Sequence, residues 1–494
     1  MPGPDTRSPD RPRPSRLGSN PFSLLLLLLP ALLLSGCEPG EPPDAPGEAE
    51  VPSDPAGMED VTEGDPAVVI FEDVTLIRTD REETIPGQTV LVRGGWIEEV
   101  GQVGSIRAPE GATVVEGSGR YLLPGISEMH GHLPGGGADR QAVEDLLFLY
   151  VANGVTLVRG MQGHPDQLDV RDEVARGELL GPRLILGSPA MGWGNTPDLD
   201  EAPERVREFA AQGFDLLKIG EGPDPEVYEA LVTTAREEGL PVAGHVPDEV
   251  GLHGVFAAGQ VTIDHLDNYV EELIPEAERE GVAPLWGVAE VAHLAETDRI
   301  DDLVSATVEA GVAQVPTMPL WEVFFGSRSG EELREALPET RYMPRETVDG
   351  WVEQLQSRRE AIGDPEGRAR VVELRREIFR ALHEGGAIFL LGTDSPQLFS
   401  VPGFQNHREM ALWVELGMSP FEVIHAGTWA VADHFGELDE AGSVEVGRRA
   451  DLLLLESNPL EDIDRMADRA GVMVQGRWLP EEEIQQRLAE IAGR

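Results

Sequence analysis

Between residues 122 and 394, eight short apolar runs alternate with segments of helix length, and few architectures accommodate that pattern. The runs are LLPGISEMH (122–130), GVTLVRG (154–160), PRLILGS (182–188), DLLKIG (215–220), LPVAGH (240–245), VTIDH (261–265), GVAQVPT (311–317) and AIFLLGTD (387–394). Apolar strands separated by helices mark βα units around a parallel sheet, and eight of them close a TIM-like (β/α)8 barrel. The expected class is therefore α/β. Strand-like runs at 67–79, 88–101 and 112–125 are answered near the other end by Asp451–Glu456 and Gly471–Leu479. Both chain ends are expected to build one small β-sandwich of antiparallel strands. The expected partition gives 67–120 and 440–494 to the sandwich, the latter with a C-terminal helix, and 121–439 to the barrel. The stretch 319–376, before the eighth run, reads as an insertion at the barrel rim, a lid or pocket wall carrying Trp321, Phe324 and Phe325.

The polar residues fall where the apolar runs stop. His130 and His132 end the first, Lys218 lies in the fourth, His245 and His265 end the fifth and sixth, and Asp394 ends the eighth. Alternate strand residues face the same side, so His130 and His132 can aim at one point. In a barrel of this type the C-terminal rim gathers such residues around one pocket, and this joint placement points to a metal site. Lys218 is the only lysine in 494 residues; every other side-chain cation of that kind is arginine. Arginine stays protonated, whereas a buried lysine can lose its proton and add carbon dioxide to give a bridging carbamate. The set then offers nitrogen and oxygen ligands for two divalent ions, with zinc the first expectation. Two such ions would share a hydroxide and polarise a carbonyl, with Asp394 moving the proton from water to the leaving group.

The chain resembles the amidohydrolase superfamily, and within it the imidazolonepropionase-related group that includes metal-dependent prolidase-like dipeptidases. The resemblance rests on LPGISEMHGHL (123–133), VAGH (242–245), TIDH (262–265), LGTDS (391–395) and GSVEVGRRADLLLLESNPLEDI (442–463). It implies His130 and His132 on one metal, carboxylated Lys218 as the bridge, His245 and His265 on the other metal, and Asp394 as ligand and proton shuttle. Relatives in this group often carry His or Tyr two positions after the fifth-strand histidine, where this chain has Pro247. Arg159 and His164, at and after the second run, are the alternative expectation for substrate binding.

Ahead of the folded body, four arginines precede a leucine-rich run, and Leu34-Ser35-Gly36-Cys37 follows it directly. This reads as a lipoprotein signal over residues 1–36, with Cys37 lipidated and 37–66 an acidic, Pro- and Gly-rich tether. The expected location is the bacterial cell envelope, outside the cytoplasm. With 39 basic against 90 acidic residues the net charge is -51, which excludes nucleic acid and anionic headgroups as partners. A homo-oligomer is compatible with this reading. The leading functional expectation is an exported metallohydrolase that cleaves the amide C–N bond of a dipeptide or an N-acyl amino acid. A cyclic amide, lactone or ester hydrolase with the same binuclear site is the second, and a non-catalytic metal-binding envelope protein the third.

Overall fold

The computed structural model describes residues 67–283 and 286–494. The expected signal, lipidated Cys37 and tether lie outside the described residues.

The described chain begins with five strands, β1 (Val68–Ile77), β2 (Thr84–Arg93), β3 (Trp96–Gln102), β4 (Thr113–Glu116) and β5 (Tyr121–Pro124). Gly94 and Gly95, both at positive φ, join β2 to β3. A two-residue hairpin whose twist matches its strands requires positive φ at both positions, which glycine adopts without a Cβ clash. Seven short strands follow: β6 (Ile126–Gly131), β7 (Val155–Gly160), β8 (Arg183–Leu186), β9 (Leu217–Ile219), β10 (Val242–Gly244), β11 (Thr262–Asp264) and β12 (Ala313–Val315). The chain closes with β13 (Leu452–Leu455), β14 (Arg469–Val474), β15 (Arg477–Pro480) and the helix Glu481–Ala492.

The two ends share one sheet in the order β15-β14-β13-β5-β1-β2-β3, with β4 also on β1. It curls over its own core, where Val90, Val92 and Ile97 pack with Leu452, Leu454 and Met473. Antiparallel pairing does not hold throughout: β4 and β5 both run parallel to β1. Tyr121–Pro124 also belongs to this sheet, not to the barrel, because β5 pairs residue for residue with β13.

Strands β6 to β12 are buried on both faces, which is why they read as continuous apolar runs. They form two parallel ladders, β6-β7-β8 and β9-β10-β11-β12. Isolated bridges Gly187↔Leu216 and Met191↔Ile219 link β8 to β9. The eighth run is held by single bridges, Gln314↔Phe389 to β12 and Gly131↔Ser395 to β6, without a continuous ladder. The reason is local: Thr393 N donates to the Glu128 carboxylate (2.8 Å) instead of a neighbouring carbonyl, and Asp394 turns into the left-handed region at φ 61°. Inside this ring Met129, Leu157, Ile185, Ala243, Val315 and Leu390 pack together, so the barrel is filled.

The helices that cover the ring have legible ends. Asp224 caps Pro225–Glu238 by accepting from Val227 N, and Gly239, at φ 75°, ends it. In the expected insertion, helices Met318–Phe325, Gly330–Ala336 and Arg345–Ile362 bury Trp321, Phe324, Phe325, Trp351 and Leu355 in the main core. A second excursion, between β11 and β12, was not anticipated; its helices are four residues long and carry no helical period to read.

Candidate metal centre

His130, His132, His245 and His265 sit at or just past the ends of β6, β10 and β11, Lys218 lies within β9 and Asp394 in the bridged eighth run, and the fold brings all six together. Nε2 of His132 lies 3.0 Å from Asp394 Oδ1, Nε2 of His130 3.5 Å from the same oxygen, and Nε2 of His265 3.7 Å from Oδ2. The ligand atoms of His130, His265 and Asp394 all lie within 4.8 Å of one another. His245 stands beside them, its ring centroid 4.8 Å from that of His265. Lys218, 1% exposed, acts by its charge on both His130 and His245.

The imidazoles are oriented from behind. Nδ1 of His245 is 2.6 Å from Asp267 Oδ2 and Nδ1 of His265 is 2.7 Å from Thr317 Oγ1, while Nδ1 of His130 faces Asp264 Oδ2 at 3.0 Å without a hydrogen bond to it. An oxygen on Nδ1 sets the ring angle and leaves Nε2 as the nitrogen open to a metal. Burial, aided by the Lys218 charge, brings His130 and His245 down to about 4, so both rings are neutral donors at pH 7. Burial pushes Asp394 up, but the charges of His130, His132 and His265 outweigh it and hold the carboxyl well below the usual range. His265, Thr317 and Asp394 all have positive φ, a conformation costly for side chains of this kind and concentrated at functional sites.

The donor set fits divalent ions: four imidazoles, a carboxylate and a lysine converge, and the buried Asp394 Oδ1 has no hydrogen-bond partner among the described residues. Lys218 Nζ donates to Asp264 Oδ2 at 3.0 Å. Asp264 is a hub that sequence reading passed over. Burial pushes its carboxyl up, but Lys218, His130 and Arg159 hold it well below the usual range.

Arg159 does not reach outward as expected. Its guanidinium is 1% exposed and bonds Asp264 Oδ1 (3.2 Å), Thr262 Oγ1 (3.1 Å) and the Met129 carbonyl (2.6 Å), so it braces Asp264 from inside the ring. His164 stays on the exposed loop after β7, where Nδ1 accepts from Gly136 N and Asp166 N at 3.2 Å. Neither touches the metal cluster. Glu128 was also missed: it accepts from His130 N (2.9 Å) and Thr393 N, and burial pushes it up to about 7. A signal existed for both carboxylates, since Glu128 and Asp264 interrupt apolar runs buried on both faces, where a charge needs partners. Trp193, edge-on to His245 at 4.7 Å, and Trp321, 5.8 Å from His265, complete the surroundings.

A model of the amidohydrolase family matches residues 121–479. Among curated relatives, an adenine deaminase of Rubrobacter xylanophilus is 29% identical over 215 residues, 39% of this chain and 35% of that protein. The match thus spans about a third of that relative's length. Among solved structures, the bottromycin amidohydrolase AH superposes with a TM-score of 0.65 at 25% identity, covering 86% of this chain and 91% of that one. A Xaa-Pro dipeptidase crystallised with methionine in its active site gives 0.59 at 20% identity, covering 84% and 100%.

Proposed function

Because the chain belongs to the amidohydrolase family, we propose that it is a metal-dependent hydrolase that cleaves the amide C–N bond of a dipeptide or an N-acyl amino acid outside the cytoplasm. The observation that carries this reading is the convergence of His130, His132 and His265 on the ionised Asp394, with His245 and Lys218 beside them. Two zinc ions held by these residues would supply Lewis acidity and lower the pKa of water toward about 7. The protein's own part is to position and to move protons. Asp394 accepts the proton from the attacking water and hands it to the leaving nitrogen, as a base that becomes an acid. Asp267 and Thr317 keep the His245 and His265 imidazoles aimed while this happens.

Lys218 is read as a carboxylated bridge. As a neutral amine freed from the Asp264 contact, its Nζ forms a bond to the carbon of carbon dioxide while one C=O electron pair moves onto oxygen and the nitrogen releases a proton, giving R–NH–COO− and H+. Lys218→Arg should lose one or both metals and nearly all activity, since a guanidinium cannot form that bond; two metals per chain in this variant, measured by plasma mass spectrometry, would rule the bridge out. The export reading, with Cys37 lipidated, is tested by palmitate labelling of a Cys37→Ser chain in a bacterial host, which should not label.

The direct test loads the protein with zinc and follows amino-acid release from dipeptides, Xaa-Pro sequences among them, and N-acyl amino acids. Release from a restricted subset supports the reading. No release from any of them, with two metals confirmed, discards it in favour of cyclic amides, lactones and esters.

A further inference from the structure

The wall beside the metal centre carries a cation with nothing to hold. Trp321, in the helix Met318–Phe325, stands 5.8 Å from the His265 ring and stacks on Trp286 at 5.9 Å and 26°. Phe324 meets Trp286 edge-on at 5.2 Å. Over this aromatic group lies the guanidinium of Arg358, 5.1 Å from the Trp286 ring centre and 4.8 Å from that of Phe324. Arg358 is half-buried and, among the described residues, makes no hydrogen bond and no ion pair. Its neighbour Arg359 differs, with nitrogens donated to the carbonyls of Val323, Phe324 and Arg328. The one carboxylate whose charge acts on Arg358 is Asp394, so the free guanidinium belongs to the metal centre's own surroundings.

In a chain with 90 acidic and 39 basic residues, a partly desolvated arginine without a carboxylate is an unusual expense. The stacked rings fix its plane while leaving its donor edge unused, which is the arrangement that captures a planar anion through two parallel hydrogen bonds. A net charge of -51 repels an anionic substrate at long range, so a local cation is needed to hold one.

We propose that Arg358, held in place by the Trp286 and Phe324 rings beneath it, binds the free carboxylate of the substrate. This rests on reading the centre as an amide hydrolase, and narrows the substrate to an amino-acid amide with a free carboxylate. The insertion thus supplies the recognition that neither Arg159 nor His164 provides.

Calorimetric titration separates the two readings, because it needs no turnover. The zinc-loaded full chain is titrated with 3-phenylpropionate and with its neutral counterpart 3-phenylpropan-1-ol. The carboxylate should bind about tenfold more tightly, and Arg358→Met should remove most of that preference without changing metal content. Arg358→Lys should restore part of it, since the charge returns without the fork. A wild-type chain with no preference, or an Arg358→Met chain that keeps it, overturns the proposal. Arg358-dependent binding together with no hydrolysis of any amide would leave the carboxylate site standing and sink only the amide reading.

Discussion

The strand-borne centre and the helix-borne wall next to it are built by opposite means. In the centre, the polar side chains gather where the ring strands stop and two of the imidazoles are tied from behind, His245 by Asp267 and His265 by Thr317. In the wall, Trp286, Trp321, Phe324 and Arg358 come from helices and a loop and hold one another by stacking. The centre spends buried charge to fix geometry. The wall uses apolar contact and leaves one cation uncommitted. The difference teaches that chemistry and selectivity are mounted on separate parts of the fold, so changes to one should leave the other intact.

That separation can be broken or sharpened by substitution. The largest effect is expected from Asp394→Asn, which keeps the shape but removes the proton carrier; turnover should fall by about four orders of magnitude with an unchanged circular dichroism spectrum. Next comes Asp264→Asn, which leaves Lys218 and Arg159 as buried cations without their carboxylate. Urea denaturation should show a loss of about 3–5 kcal/mol, and a loss below about 1 kcal/mol would mean that Asp264 is not the brace described.

A pH series gives a smaller effect with a defined sign. Folded His130 sits at about 4 and its unfolded counterpart near 6.5, so the unfolded chain binds more protons between those values and stability falls as pH drops through that window. In the metal-free protein, the loss between pH 7 and pH 5 should be about 2 kcal/mol smaller in His130→Asn than in the wild type. The smallest effect is expected in the wall: Trp286→Leu should cost about 1 kcal/mol of stability and no metal. If it released zinc, the centre and the wall would have to be regarded as one unit.

The centre was legible because the barrel rule converts strand ends into neighbours: His130, His132, Lys218, His245, His265 and Asp394 could be collected from the chain without knowing any contact. What escaped lay at one remove. Asp264 and Glu128 stood inside apolar runs, and only three-dimensional contact shows that they are braces for Lys218 and for the backbone of Thr393. Arg159 was misjudged because a cation at a strand end faces either the rim or the interior, and one more or one fewer residue along the strand decides which. The wall was barely legible at all. Trp321 and Phe324 drew notice as aromatics in the insertion, but Trp286 lies outside it and Arg358 is one of many arginines on helices.

The sheet built from both chain ends has a kinetic consequence. β5 pairs with β13 through Tyr121↔Leu455 and Leu122↔Leu454, with the whole barrel lying between them in sequence. Closing so long a loop is entropically expensive and slow, and pays back only when the last strands arrive. During synthesis β5 therefore waits with one edge unpaired, an exposure that favours chaperone capture or aggregation until β13 docks. Pulse-labelling hydrogen exchange should find the β5 amides among the last to gain protection.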